Sequence, residues 1–414
     1  MKIRTSRTGI LFFGLMCLAI FQNPLEGLWG GFSYVDELVS IFGILYICIG
    51  HEAINKKFLL AFFVFVLAGL VGNIAHNYQP WNLVILDLFT NVKFYFSIFA
   101  GMLFFNHIRS VDVENEGIFL AKISTGVLLV LTVIDYMFNL FPNEIRYGIR
   151  SIRLFYTHST YLAAALSLLI IVFTLFPRSG NGKYIILDFL MLLLTLRSKA
   201  FAFAGAYFLM YLLIMKPRKK IRVRHIVIVA LLGVGIGYSQ ISYYFGQLSG
   251  TSARSIILLT SFVIMKDYFP FGTGFGTYGS HVASAHVNYS PIYMKYGFNM
   301  TYELRNSVMG TFFDDQFWPI IFGQTGVIGT LAYIQMLRYI TTRVLHIKNI
   351  NRDQYYAGLL IILYLLISSI AEPAFNNSIA VGMALLLGAI FSLSKNQMVE
   401  GRMNDEIQYN RTCL

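Results

Sequence analysis

Residues Phe58 to Ile74 read FLLAFFVFVLAGLVGNI, an apolar stretch without a charged side chain. A helix of this length and composition is typical of a membrane span. Similar stretches recur along the chain, of which 57% is hydrophobic and only 13% charged. Soluble domains carry about a quarter charged residues. The sequence therefore predicts an all-α integral membrane protein, with residues 1–414 forming a single membrane domain.

The apolar stretches predict a polytopic bundle of about 12 transmembrane helices. The predicted spans are Gly9–Asn23, Tyr34–Gly50, Phe58–Ile74, Leu83–Phe104, Ile118–Phe141, Tyr161–Phe176, Tyr184–Leu196, Phe201–Met215, Ile226–Tyr243, Phe317–Leu337, Tyr356–Ile370 and Ile379–Leu393. One segment between spans is long. Residues 244–316 are predicted to form an outer loop that carries short helices, inserted between transmembrane helices 9 and 10.

The distribution of basic residues predicts the orientation. Most of the 32 Lys and Arg residues lie in cytoplasmic segments if the N-terminus is cytoplasmic, as the positive-inside rule requires. An even number of spans then places both termini in the cytoplasm. Basic loops that orient helices and contact anionic lipid also account for the net charge of +12 without nucleic acid. The orientation depends on a chain reversal near Arg197, because merging spans seven and eight would invert everything downstream.

A minority of arginines fall at the opposite, outer ends of the spans, where topology does not require them. These are Arg146, Arg150, Arg153, Arg197 and Arg254. Arg197 and Lys199 stand between two apolar stretches, where a charge is costly unless it lines a cavity or has a partner. The alternative is that Arg197 only extends to the lipid headgroups. Since a guanidinium binds phosphate oxygens in a bidentate manner, we expect a phosphate-bearing ligand at this face.

The outer arginines lie in two different sequence contexts. The spacings of four and three between Arg146, Arg150 and Arg153 would place them on one face of a helix, although Gly148 disfavours a helix there. Binding of lipid headgroups is the alternative for these three. Arg254 follows Ser252, which we expect to cap an amphipathic helix.

Further candidates lie between the ninth and tenth spans and near the chain's end. The glycine-rich segment Pro270–Gly279 either offers backbone N–H groups to a phosphate or forms a flexible turn. Asp314 and Asp315 either provide a general base or start a solvated helix. His281 and His286 are further candidate bases, and Glu372 either caps a helix or lines a cavity. Lys93 and Lys122 fall within predicted spans.

Four segments together resemble the O-antigen ligase and polymerase superfamily, which includes the Wzy-type polysaccharide polymerases. They are an arginine at a span end (Arg197), an arginine on a helix in the outer loop (Arg254), a Pro-x-Gly-x-Gly turn (Pro270 to Gly274), and an acid-aromatic segment followed by Gly-x-x-Gly (Asp315 to Gly329). Ligases of the family commonly have a histidine where Asp314 and Asp315 stand here. This difference favours a polymerase.

The resemblance implies a membrane glycosyltransferase that needs no metal or cofactor and acts at the outer face of the bacterial cytoplasmic membrane. Undecaprenyl-diphosphate-linked glycans would be its donor and acceptor, and a chain-length regulator is a possible partner. The expected catalytic residues are Asp315 as the general base, with Asp314, Arg197 and Arg254, and the expected diphosphate-binding residues are Arg153, Arg150, Arg197, Lys199 and Arg254. The alternatives are an O-antigen ligase and a transporter or flippase for lipid-linked sugars.

Overall fold

A computed structural model of the chain describes residues 7–49, 55–105, 110–215, 252–301, 304–305 and 313–412. The helices are α1 (Arg7–Leu28), α2 (Val35–Ile49), α3 (Lys56–His76), α4 (Trp81–Phe105), α5 (Ser110–Phe138), α6 (Ser159–Leu175), α7 (Gly182–Leu194), α8 (Ser198–Ile214), α9 (Ala253–Asp267), α10 (Pro291–Lys295), α11 (Phe317–Ile347), α12 (Arg352–Ser368) and α13 (Ser378–Thr412). Short 3₁₀ helices occupy Gly30–Tyr34, His281–Ala283 and Phe298–Met300. Two strands, β1 (Glu144–Arg146) and β2 (Ile149–Ser151), form a hairpin.

Within the described residues, 6 helical segments are long and apolar enough to cross a membrane. They are Gly30–Cys48, Lys56–His76, Trp81–Phe105, Glu114–Phe138, Phe317–Ile347 and Ser378–Gln397. Two shorter apolar helices are α6 and α8. The architecture is that of an all-α, multi-pass membrane protein. The predicted ninth span, Ile226–Tyr243, lies outside the described residues.

Helix α3 illustrates why these helices need a lipid environment. Its side chains at Leu60, Phe63, Leu67, Val71 and Ile74 are all exposed. Spacings of three and four place these side chains on one stripe of the helix, and the opposite stripe packs into the bundle. An apolar stripe of this length is costly in water and favourable against lipid.

Helix α6 lies at the centre of the bundle. Nearly all of its side chains are buried, and it packs against α1, α5, α7, α8, α12 and α13. A helix that is apolar on all sides is stable where other helices surround it. Its first turn, which begins at Ser159, is therefore held in a fixed position beneath the loops at that end.

The turn between α7 and α8 reverses the chain, as predicted from the two apolar stretches that Arg197 and Lys199 separate. The ring of Phe189 on α7 lies 4.9 Å from that of Tyr207 on α8, centroid to centroid. In one continuous helix these residues would be roughly 27 Å apart along the axis. The two helices therefore fold back against each other, and Arg197 stands at the tip of the turn.

Several loops meet at the end of the bundle that contains Arg197, called the polar end below. The hairpin is attached there because the Ile152 N–H donates to the Leu194 carbonyl at 3.1 Å. The Phe317 N–H at the start of α11 donates to the Ser369 carbonyl at 3.3 Å, and Lys199 pairs with Glu372. Four segments that are distant in sequence thus converge at one end.

Candidate anion-binding and catalytic site

Arg197 precedes α8 and makes several polar contacts at the polar end. Its Nη2 lies 2.8 Å from His158 Nε2 and 3.2 Å from a Glu144 carboxylate oxygen. Its Nε donates to the Ser159 hydroxyl. The side chain is only 12% exposed, and extended backbone at Arg197 aims it across the start of α6 rather than along α8. The guanidinium is therefore held by side chains of the polar end.

Burial lowers the pKa of this guanidinium and of the imidazole beside it. Loss of solvent, followed by the positive charge of Arg146, lowers the pKa of Arg197 to about 10. Loss of solvent and the positive charge of Arg197 lower the pKa of His158 to about 4. At neutral pH, Arg197 is thus a cation and His158 is neutral. The polar end has a fixed positive charge with a neutral imidazole beside it.

The segment that contains Arg146, Arg150 and Arg153 is not helical, as Gly148 indicated, so the three arginines do not share a helix face. It forms the β1–β2 hairpin, in which Ile145 pairs with Arg150. Tyr147 and Gly148 both have positive φ, which suits a two-residue hairpin turn with glycine second. Because strand side chains alternate between faces, Arg146 lies on the face of Glu144 and Arg150 on the other.

Arg150 and Arg153 differ in their contacts. The Arg150 Nη2 lies 3.0 Å from an Asp135 carboxylate oxygen and 2.8 Å from the carbonyl of the same residue. These contacts anchor the hairpin to the end of α5. Arg153 donates from Nη1 to the Thr157 carbonyl at 3.0 Å and forms no ion pair within the described part of the chain. Both arginines have a buried Nε without a hydrogen-bond partner among the described residues. Of the two, Arg153 is therefore the one whose positive charge no carboxylate of the described residues neutralises.

Arg254 and Asp315 form a second ion pair at the polar end. The Arg254 Nε donates to Asp315 Oδ2 at 3.0 Å, and its Nη2 lies 2.9 Å from the same oxygen. Arg254 stands in the first turn of α9, which Ser252 caps as predicted by accepting a hydrogen bond from the Ser255 N–H. Arg254 also lies within electrostatic range of Arg197. The charges of the two arginines expected to act together therefore interact, and Arg197, Arg254 and the polar side chains around them are called the cluster below.

Asp314 lies beside this pair in a different environment. Its Oδ2 is 3.7 Å from His281 Nδ1, and burial raises the pKa of its carboxyl even though His281 opposes the shift. The Tyr161 hydroxyl of α6 lies within electrostatic range of Asp314, Glu372 and Glu26. Asp314 is therefore a carboxylate of increased basicity next to the pair of Arg254 and Asp315.

Lys199 is paired with a carboxylate that the sequence left without a definite role. Its Nζ lies 2.6 Å from Glu372 Oε1, and the two side chains are 10% and 14% exposed. A buried pair in close contact is held by its own attraction and leaves little charge for a further anion. This contact favours a role in joining α8 to the turn between α12 and α13.

The glycine-rich segment Pro270–Gly279 is packed into the fold. Its N–H groups at Gly274 and Gly276 donate to the Gln324 carbonyl and to Asp87 at 2.9 Å each. The Phe275 N–H donates to Asn73 at 2.8 Å. These three amides have protein acceptors, so they do not provide a phosphate-binding loop. The segment fits instead against α11, where non-helical backbone at Gly326 interrupts the helix.

Sequence reasoning missed the partners of the arginines and several polar groups inside the bundle. Glu144 and His158 surround Arg197. Each has a local signal, Glu144 as the acid next to the hairpin arginines and His158 as part of the polar segment before α6, but neither signal identifies Arg197 as the partner. Lys93, placed within a span by sequence, forms a buried ion pair with Asp36 of α2 at 2.5 Å. Among the described residues, no group of three or more His, Cys, Asp or Glu could hold a metal ion.

Comparison with protein-family models gives no match for this chain, and comparison with curated proteins gives none either.

Proposed function

We propose that the chain is a membrane glycosyltransferase that polymerises undecaprenyl-diphosphate-linked oligosaccharide repeats. The observation that supports this most strongly is the clustering of Arg197 and Arg254 with Asp314 at one end of an apolar bundle. Such a site combines cations for a diphosphate with a carboxylate of raised pKa, next to the region where lipid tails would lie. The resemblance to the polymerase superfamily in the same residues supports the proposal.

The arginines would bind the diphosphate of the donor. Negative charge develops on the diphosphate when the bond from its oxygen to the anomeric carbon breaks and the electron pair stays on the oxygen. Arg153, Arg197 and Arg254 would stabilise this leaving group, an effect on the order of 10²–10³ in rate for one well-placed donor. The low dielectric of a partly dry site strengthens the interaction.

Asp314 would act as the general base. It accepts the proton of the acceptor sugar's hydroxyl while that oxygen forms the new bond to the anomeric carbon. Asp315 fits this role less well because it is already bound to Arg254 through one carboxylate oxygen. In this mechanism Asp315 orients Arg254. The chemistry requires no metal or cofactor, because the arginines supply the positive charge.

In this proposal the polar end faces the outside of the bacterial cytoplasmic membrane. The chain would cross the membrane about 12 times with both termini in the cytoplasm, as the positive-inside rule favours. The lipid-linked donor would then approach the cluster from the outer leaflet, and the growing glycan would extend away from the bilayer.

Reconstitution in liposomes with lipid-linked repeats tests the activity. The wild-type protein is expected to produce a ladder of elongated glycans on a gel, and Asp314→Asn to lose about 10²–10⁴-fold of the rate because a general base is removed. Asp315→Asn leaves Asp314 in place as the proton acceptor, so this variant is expected to lose less of the rate. Arg178→Ala is the matched control, since Arg178 pairs with Glu114 away from the cluster.

Each outcome discriminates between functions. Failure of the purified wild-type protein to elongate glycans, together with transfer of a finished chain to a non-lipid acceptor, would indicate the ligase instead. If Asp314→Asn were as active as the wild type, Asp314 would not be the base. A larger loss for Asp315→Asn would assign that role to Asp315.

A transporter of lipid-linked sugars is the second candidate, and two observations favour it. Lys93 and Asp36 form a buried ion pair within apolar helices, and charges at such depth commonly line transport pathways. Gly326 interrupts α11, as interrupted helices do at transporter binding sites. Movement of labelled lipid between leaflets without any elongation would establish this function.

A further inference from the structure

Glu144 lies among the basic groups of the cluster. Its carboxylate is 2.9 Å from Arg146 Nε, 3.2 Å from Arg197 Nη2 and 4.0 Å from His158 Nε2. Burial raises the pKa of Glu144, but the hydrogen bond from Arg146 and the charge of Arg197 lower it overall. Glu144 is thus an anion at neutral pH. The position between the two guanidinium groups is one that anionic oxygens favour.

The two partners of this ion pair are held differently. Arg197 is 12% exposed, whereas the Glu144 side chain is 49% exposed and belongs to a strand of three residues. Rotation of the glutamate side chain alone would remove its carboxylate from Arg197 without moving a helix. The cation is therefore fixed and its anion is replaceable.

We propose that Glu144 occupies the place that the oxygens of a diphosphate take on binding, and that the ligand displaces it. The inference rests on the proposed binding of diphosphate at Arg197, and it adds Arg146 and His158 to that site. Two neighbouring guanidinium groups repel each other, and Glu144 offsets this repulsion until an anion of higher charge replaces it. Arg146 and Arg197 then both bind the diphosphate, and His158 accepts or donates a hydrogen bond beside it.

If Glu144 competes with the diphosphate for the two guanidinium groups, removing the charge of Glu144 should strengthen diphosphate binding. Exposed ion pairs are weak, so the competition from Glu144 is modest. Glu144→Gln is expected to bind inorganic diphosphate about two- to fivefold more tightly than the wild type. A glutamate whose role is to hold Arg197 in its binding position would weaken binding when replaced.

Titration calorimetry of the full-length protein in detergent, with inorganic diphosphate in metal-free buffer, measures this effect. Glu114→Gln is the matched control, because Glu114 also forms a partly exposed pair with an arginine, Arg178. Arg197→Ala is expected to weaken binding. In the double variant, Glu144→Gln is expected to lose most of its effect. Size-exclusion profiles establish that each variant is folded.

The outcomes separate this inference from the proposed function. Tighter binding by Glu144→Gln, with no change in Glu114→Gln, supports the inference whether or not glycans are elongated. Unchanged or weaker binding by Glu144→Gln overturns it, even if Arg197→Ala shows that the site binds diphosphate. An absence of measurable binding by both the wild type and Glu144→Gln overturns it as well.

A second arm identifies the source of the phosphate. The titration is repeated in nanodiscs that contain phosphatidylglycerol, whose single phosphate carries less charge than a diphosphate. Inorganic diphosphate is expected to keep its affinity within about twofold, because one phosphate displaces Glu144 poorly. Loss of diphosphate binding in these nanodiscs would make the cluster a headgroup site and overturn the assignment.

Discussion

Two arginine–carboxylate pairs lie on opposite faces of one β-hairpin, and they differ in which partner is buried. In the pair between Arg150 and Asp135, the Asp135 side chain is fully buried at the end of α5. In the pair between Arg197 and Glu144, the arginine is buried and the carboxylate is half exposed. A buried carboxylate fixes its arginine in place. An exposed one leaves its buried arginine available to another anion.

This difference divides the outer arginines into two groups that their sequence positions did not separate. Arg150 attaches the hairpin to the bundle and thereby positions the opposite face, which presents Glu144 and Arg146 to Arg197. The hairpin thus has two roles: one face anchors it to the bundle, and the other face contributes side chains to the site. The distinction depends on the surroundings of the carboxylates, since the arginines themselves are alike in charge and geometry.

The largest expected effect is on activity. Arg197→Ala is expected to lower the elongation rate about 10²–10³-fold, because it removes a donor that stabilises the leaving diphosphate. Arg150→Ala, corrected for the amount of folded protein, is expected to keep most of the wild-type rate, because its guanidinium is engaged with Asp135. Gel densitometry of the glycan ladder over time provides both rates. A loss at Arg150 equal to that at Arg197 would show that both bind the substrate.

The next effect is on stability. Here the pair of Arg150 and Asp135 is expected to matter more than the pair of Arg197 and Glu144, the reverse of the order expected for activity. Asp135→Ala is expected to lower the free energy of unfolding by about 3 kcal/mol, because it leaves a partly buried guanidinium without its anion. It also removes the acceptor of the Phe141 N–H, which donates to Asp135 Oδ1 at 2.9 Å. Glu144→Ala is expected to cost less than about 1 kcal/mol, as is usual for exposed pairs.

Unfolding in detergent with increasing denaturant measures both values. Asp135→Asn separates the two contributions, because an amide oxygen can still accept from the Phe141 N–H but carries no charge for Arg150. An equal loss of stability for Asp135→Ala and Glu144→Ala would contradict the comparison.

The local part of this architecture could be predicted from sequence. The predicted spans Phe58–Ile74 and Leu83–Phe104 agree with α3 and α4 within a few residues, because the length of an apolar stretch is a local property. The chain reversal at Arg197 was predicted for the same reason. The hairpin was missed even though Tyr147-Gly148 suits its turn. Gly148 was taken as evidence against a helix, but the pair Tyr147-Gly148 was not recognised as a two-residue hairpin turn.

The partners across the site could not be predicted in this way. Glu144 and Arg197 are far apart in sequence, and no periodicity links a residue on a short strand to one in a helix–helix turn. The same holds for Lys93 and Asp36, which lie on different helices. Whether an arginine is available to a ligand depends on such contacts. The sequence therefore identified candidate cations and favoured Arg153 over Arg150 because a polar segment follows Arg153, but it could not show that Lys199 is paired with Glu372.

The smallest expected effect is a pH dependence that belongs to the Arg197 side of the hairpin alone. The pKa of His158 is lowered from 6.5 to about 4 in the folded protein by loss of solvent and by the charge of Arg197. Between these values the unfolded chain binds a proton that the folded protein does not. Stability is therefore highest above about pH 6.5 and is lost as the pH falls toward 4.

Because the His158 side chain is 44% exposed, solvent screening reduces this contribution to about 1 kcal/mol or less. Unfolding midpoints measured from pH 7 to pH 4.5 are expected to fall less steeply for His158→Gln than for the wild type. In Arg197→Gln the pKa of His158 should rise toward its usual value, which would also flatten the profile. Asp135→Asn, which alters only the other pair, should keep the wild-type slope through this range. If it flattened the profile as much as His158→Gln, the two faces of the hairpin would be coupled, and the division between anchor and site would fail.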